Sequence, residues 1–224
     1  IKRCRRSSDM TAAPRSQEPL VTIDNIALRL WDMQRIAPRV FLHDEAINAY
    51  ASLLERREAV WAVAEQRPVR IHFFNTFMFE KLIMGDERTY NYEAVCRWSR
   101  DVQLKNYDAV FVPINLGIHW VLGVVYPKRR VVETYDSLGA VPDWVVACLV
   151  AWIKDDMTAH GHCRGKWTWT KMSCRKQENG TDCGVFMVKT MDYMSRGLPQ
   201  ASMTGDMNYY RRRMAAELFA QTLV

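Results

Sequence analysis

Between the dipeptide Asn179-Gly180 and the pair Gly197 and Pro199, the chain carries one run that dictates how everything else must be arranged. Cys183, Gly184, Val185, Phe186, Met187, Val188, Met191 and Met194 leave no continuous polar face at helical spacing. A helix apolar all round must be covered on every side, so the remaining elements are expected to pack about it. Gly197 is placed for a C-terminal cap, with Pro199 just beyond to prevent continuation. At the other end, Asn179-Gly180 reads as a tight turn, in which Gly tolerates positive φ. Cys183 then falls in the first helical turn, where unpaired amides and the dipole favour a thiolate. A cysteine in an apolar helix is also a common packing residue. Its neighbours here are a turn, Asp182 and Gln177, a polar setting that points to chemistry.

A chain of 224 residues can bury a substantial core in one domain or two small ones. No apolar run approaches the ~18 residues of a membrane span; the longest is 145–153. The sequence opens on Ile1 without a secretory leader, the pattern of a piece cut from a longer protein. The net charge of +6 admits nucleic acid or an acidic protein as partner, yet no helix concentrates Lys and Arg at base-reading spacing, so nucleic-acid binding is not expected. The six cysteines are scattered, as in an intracellular protein with reduced thiols. His160, His162, Cys163 and Cys174 offer nitrogen and sulfur for zinc, but their spacing matches no common ligand set. No metal and no cofactor is expected.

Residues 1–20, with Lys2, Arg3, Arg5 and Arg6, read as a disordered or extended arm, and 21–224 as a single domain. Asp24 is placed to cap a short helix. Residues 41–54 form an amphipathic helix with Ile47, Tyr50, Leu53 and Leu54 on one face, continuing towards Ala64. A short strand is expected over 69–74, a helix over 77–84 capped by Asn75-Thr76, and another helix over 92–100. Strands follow at 109–114, 119–126 and 131–135, then a helix over 142–153 and a half-buried strand over 166–171 carrying Trp167 and Trp169. The last helix spans 208–223, with Tyr209, Met214, Leu218 and Phe219 inward. Helices first, strands in the middle and a helix within the second half describe an α+β fold with a mainly antiparallel sheet.

A sulfur nucleophile needs a base, a group to orient that base, and donors for the oxyanion. With a turn centred between Pro127 and Lys128, residues whose numbers sum to 255 oppose each other across the hairpin, which places His119 opposite Asp136. Directly opposed residues have Cβ atoms about 4.5–5.5 Å apart. Taken singly, His119 could be a satisfied strand-end histidine, Asp136 a turn residue and Gln177 a surface residue. In matched register with a cysteine at a helix N-terminus, His119 and Asp136 point to base and orienter, while the amide of Gln177, six residues before Cys183 across the turn, could fold back to serve the oxyanion.

His119-Trp120, Tyr135-Asp136-Ser137 and Gln177-x5-Cys183-Gly184, in this order, resemble the signature of the ubiquitin-like-protein-specific cysteine proteases, the SUMO (sentrin) proteases of the papain-like superfamily. Residues 41–48, 74–82 and 112–120 are similar to family segments as well, and the resemblance covers about residues 20–224. It implies a papain-like cysteine protease fold, helices flanking the central sheet, with Cys183 as nucleophile, His119 as base, Asp136 as orienter and Gln177 as oxyanion donor. Trp120 would wall a narrow channel for a Gly-Gly tail, although it could equally be a core indole. Phe41 replaces the tryptophan of the opposite wall, flat and apolar still but with one hydrogen bond fewer. Asp44 and Arg97 match positions that contact the folded body of SUMO, and both could equally be solvated charges.

The function implied is cleavage after the Gly-Gly of SUMO, in precursors, in isopeptide conjugates or in both. SUMO and SUMO-conjugated proteins would be the partners of a monomeric intracellular enzyme located in the nucleus, with no membrane partner. The alternatives are a protease for another ubiquitin-like modifier, Nedd-type or effector-type, and a non-catalytic module that only binds such proteins. Loss of nucleophile or base would mark the module, and both residues are present.

Overall fold

The computed structural model describes residues 18–84, 88–139, 141–162 and 165–224. Most of the expected arm, and Cys4 and Cys163 with it, lie outside the described residues.

The chain begins with a hairpin, β1 (Val21–Ile23) and β2 (Ile26–Leu28). Asp24 turns this hairpin in the left-handed region at φ +50 instead of capping a helix. Asp tolerates that region better than most residues, and a two-residue hairpin loop needs it. After α1 (Leu30–Gln34) comes the long α2 (Asp44–Ala64), whose first turn holds Asp44 and Glu45 against the positive dipole end. Then follow β3 (Ile71–Phe73), α3 (Phe77–Leu82), the small β4 (Ile83–Met84) and β5 (Thr89–Tyr90) pair, and α4 (Cys96–Val102).

Three strands, β6 (Ala109–Asn115), β7 (Trp120–Tyr126) and β8 (Val131–Tyr135), form an antiparallel centre. Next come α5 (Asp143–Ala159), β9 (Thr168–Met172), α6 (Cys183–Ser195) and α7 (Met207–Ala220). The sheet order is β3-β6-β7-β8-β9, with both outer strands added in parallel. Trp120, Leu122 and Val124 face the layer of α2, α6 and α7, whereas Val121 and Val125 face α3 and α5. Burial on both faces explains why β6 and β7 read as unbroken apolar runs.

Three expectations need correcting here. β9 is a mostly exposed edge strand, with Trp169 51% exposed, and only Trp167 ahead of it reaches the core. In α7 the inward stripe is Met207, Tyr210, Met214 and Leu218, while Tyr209 and Phe219 stand one residue off it and are half exposed. The buried helix α6 also carries charge: the Lys189 ammonium, 1% exposed, donates to the Tyr50 hydroxyl at 2.8 Å and to Asp192 at 2.5 Å. Arg57 donates to the other Asp192 oxygen at 2.6 Å, and Tyr50 donates to Glu217 at 2.6 Å. A buried charge persists only when paired and hydrogen-bonded, and each one here is.

Candidate active site

Cys183 is the first residue of α6 and is 1% exposed. The chain reaches it through an Asn179-centred turn. Asn179 Oδ1 accepts from the Thr181 and Asp182 amides at 2.9 and 3.1 Å, and Gly180 does not adopt positive φ. The side chain of Asn179, not the freedom of Gly180, makes the bend. Past the cysteine, the backbone comes close to its neighbours. A Cβ on Gly184 would lie 2.8 Å from Leu42 Cβ and 3.1 Å from Trp120 Cδ1. Glycine is needed there because α6 begins in contact with both residues.

His119 and Asp136 meet at the open end of the β7–β8 hairpin, with His119 Nε2 2.7 Å from Asp136 Oδ1. The register that brings them together is not the expected one. Tyr126 pairs with Val131 and Leu122 with Tyr135, so opposed residues sum to 257. The loop takes four residues, Pro127 to Arg130, closed by Arg129 N–H to Tyr126 O and ended by Arg130 at φ +56. A shift of two keeps both side chains on one face and turns a direct pair into a diagonal one, still within reach of long side chains.

Burial works against a charged His119, but the Asp136 hydrogen bond and the Cys183 side chain outweigh it, lifting the imidazole to about 9. Burial likewise opposes the Asp136 charge, and the bonds from His119, Leu138 and Gly139 hold the carboxyl below its usual value. The Leu138 amide donates to Oδ1 at 2.8 Å. With Nε2 on Asp136, Nδ1 is the nitrogen left for the sulfur, and it is buried with no other hydrogen-bond partner among the described residues.

Gln177 is buried beside this pair, and neighbours absent from the sequence reasoning fix it there. The Ser137 hydroxyl donates to its Oε1 at 2.6 Å, and Gln177 N–H donates to Ser137 O at 2.9 Å. The amide edge is thereby assigned: Nε2 is the donor, with one proton on Asn179 O. Cys174 Sγ and Lys176 Nζ both donate to Asp136 O, at 2.9 and 3.2 Å, and Lys176 also reaches Gly139 O at 2.8 Å. Burial pushes the Cys174 thiol up. Residues 174–177 are thus laced to 136–139, and Cys174 is committed there, away from His160 at the end of α5. The zinc reading loses a ligand by this, and its Cys163 lies outside the described residues. Only the motif Asp136-Ser137 hinted at Ser137; Cys174 and Lys176 carried no usable signal.

Trp120 is 5% exposed, with its indole N–H donated to Leu42 O at 3.1 Å, and Phe41 next to Leu42 is 43% exposed. Asp44, at the start of α2, stands 3.8 Å from the His43 ring. Arg97 is exposed on α4, a helix packed against the α5 side of the sheet, so the structure does not bring it to the sulfur.

The chain is similar in sequence and fold to known proteins. Residues 40–223 fit the model of the Ulp1 protease family, C-terminal catalytic domain. The chain is 35% identical over 191 residues to ubiquitin-like-specific protease 1A of Arabidopsis thaliana, covering 82% of this chain and 37% of that protein. It is 31% identical over 199 residues to human sentrin-specific protease 2, covering 86% and 32%. It therefore spans about a third of the length of each. Among solved structures, the C-terminal Ulp1 protease domain in complex with Smt3, the yeast ortholog of SUMO, superposes with a TM-score of 0.72 at 26% identity, over 90% of this chain and 86% of that one. With a cysteine at the head of a buried helix and a His–Asp pair across a hairpin, the chain belongs to the Ulp1 protease family.

Proposed function

We propose that the chain is a SUMO-specific cysteine protease that hydrolyses the bond after the C-terminal Gly-Gly of SUMO. The observation that carries the reading is His119 Nε2 at 2.7 Å from Asp136 beside a sulfur at a helix N-terminus. In this reading Cys183 Sγ attacks the terminal glycine carbonyl carbon. The oxyanion accepts from the free Gln177 Nε2 proton and the Cys183 amide; losing one such donor raises a barrier by ~2.7–4 kcal/mol. The leaving amine takes its proton from His119 as the C–N bond breaks and a thioester forms. His119 then deprotonates water, which expels the sulfur and releases the SUMO carboxylate.

The tail would enter between Phe41 and Trp120, whose indole bond to Leu42 O ties the two walls together. Only residues without Cβ pass between flat walls so close, which selects glycine. Asp44 and Arg97 would contact the folded body of SUMO. Support comes from the Ulp1 domain, which is solved in complex with Smt3, and from the sentrin-specific relatives. The catalytic unit would be residues 21–224, a monomer acting in the nucleus. Among the described residues no helix is long and apolar enough to cross a membrane.

The test is a panel of modifier–fluorophore substrates, together with SUMO carrying a C-terminal electrophile and mapping of the modified sulfur. Fastest turnover of a SUMO tail and labelling at Cys183 are expected; preference for another modifier would overturn the SUMO assignment. Cys183→Ala should abolish cleavage and retain SUMO binding, and cleavage equal to wild type would refute the mechanism.

A further inference from the structure

The residue just before the nucleophile behaves unlike an ordinary helix-capping aspartate. Asp is among the preferred N-cap residues because its carboxylate accepts from the second or third amide of the helix. Asp182 occupies that position for α6, yet its side chain makes no cap hydrogen bond, and its backbone is helical at φ −90 and ψ 0. The carboxylate is turned elsewhere. Oδ1 takes two bonds from Arg211, Nε at 2.9 Å and Nη2 at 2.7 Å, and Oδ2 takes the Asn179 amide at 2.7 Å. Arg211 on α7 is 1% exposed and is further held by Ala37 O at 2.9 Å and Thr181 O at 3.0 Å.

We propose that Arg211 is a positioning residue for the Cys183 sulfur: by holding Asp182 off the first turn of α6, it reserves that turn's amides and positive end for the thiolate and the oxyanion. This rests on Cys183 being the nucleophile. A thiolate and a capping carboxylate would compete for the same donors and the same half-charge of the dipole. Released from Arg211, Asp182 could swing its ψ into the extended range of a capping residue and turn its carboxylate onto the Gly184 or Val185 amide. It would then put a negative charge beside the sulfur. Pairing with Arg211 removes this competitor twice, by geometry and by neutralising its charge. Arg211 and the neutral Asn179 side chain face Asp182, His119 backed by Asp136 faces Cys183, and the Cys174 thiol lines the same narrow cavity as the sulfur. The Lys176 ammonium is engaged by Asp136 O and Gly139 O.

The experiment measures the rate of iodoacetamide alkylation at Cys183 against pH on the full chain, with the modified residue mapped so that Cys174 is counted apart, alongside kcat and KM on a SUMO–fluorophore. Arg211→Met should move the rising limb of alkylation up by about one pH unit and lower kcat at least tenfold with KM unchanged. Adding Asp182→Ala to that variant should restore most of both, whereas a merely structural ion pair predicts a further loss. A folded Arg211→Met with an unmoved limb, or a double variant no better than the single, overturns the proposal. If Arg211→Met does not fold, Asp182→Asn decides: its limb should sit at or below the wild-type pH, and an upward shift refutes the role. A wild-type Cys183 that alkylates no faster than a free thiol at neutral pH would instead refute the nucleophile reading.

Discussion

Replacing Asp136 by Asn tests the electrostatic centre of the site with little change of shape. In the native arrangement Asp136 Oδ1 accepts from both His119 Nε2 and the Leu138 amide, while the Gly139 amide also supports the carboxylate. Asn can keep one acceptor, but its NH2 must then face a backbone N–H where the second carboxylate oxygen was. The larger effect is loss of charge. Two unit charges about 4 Å apart in a partly buried site interact by about 4 kcal/mol at an effective dielectric of ~20. Since each 1.36 kcal/mol is tenfold in rate, the expected loss in kcat/KM is on the order of a thousandfold.

The same substitution has a signed pH signature. His119 titrates at about 9 only because Asp136 and Cys183 outweigh burial, which alone pushes the ring down. Without the carboxylate, the alkaline limb of the kcat/KM profile, where the imidazolium proton is lost, must move down. A SUMO–fluorophore assayed from pH 5 to 10, paired with NMR titration of the His119 ring, reads both quantities. A loss below tenfold with the alkaline limb still near its wild-type position would refute the claim that Asp136 holds the imidazolium.

Further outcomes follow from the same geometry. Gly184→Ala should destabilise the fold by about 1–3 kcal/mol, because its Cβ would meet Leu42 and Trp120, and calorimetry should show a lower melting temperature. Ser137→Ala should lower kcat with KM nearly unchanged, since it frees the Gln177 amide to flip, whereas Ser137→Thr should retain most of the rate. In Gln177→Ala the Ser137 effect should vanish, a non-additivity that a double-mutant cycle measures. For stability, the raised His119 contributes fully below pH 6.5 and loses its contribution as pH rises through about 9. The lowered Asp136 contributes above its usual range near 3.8 and loses it only in acid. Urea midpoints should therefore fall between pH 7 and 9, and His119→Asn should flatten that slope.

What could be read from the sequence, and what could not, divides along physical lines. The buried helix, its head at Cys183 and the apolar strands were legible because periodicity and turn residues are local signals. The His119–Asp136 pair was legible too, although the register argument for it was off by two residues. Loop length is the weak step: nothing about Arg130 announces a left-handed conformation, so two- and four-residue turns could not be told apart. The pair survived because an even slip preserves the face. Partners of buried charge were beyond reach for another reason. Lys189 meets Tyr50, Arg57 meets Asp192 and Arg211 meets Asp182 across long separations in the chain, and only tertiary packing selects such pairs.

These buried charges and the proposed nucleophile answer to one requirement. A nucleophile must keep its place relative to its base to within about 0.5 Å, and a helix buried on all sides is a rigid carrier. Leu42 and Trp120 press on its first turn at Gly184, fixing its depth. Further along, Lys189 and Asp192 engage Tyr50 and Arg57 of α2, which resists rotation about the helix axis. A purely apolar surface would pack α6 as tightly but specify its rotation less, because dispersion contacts are not directional and hydrogen-bonded ion pairs are. Rotation is the coordinate that matters, since α6 presents Cys183 to His119 on a hairpin belonging to a different layer of the fold. The energetic penalty of burying charge in α6 is thus coupled to aim: loosening the Lys189 network should reduce kcat before it reduces stability enough to unfold the chain.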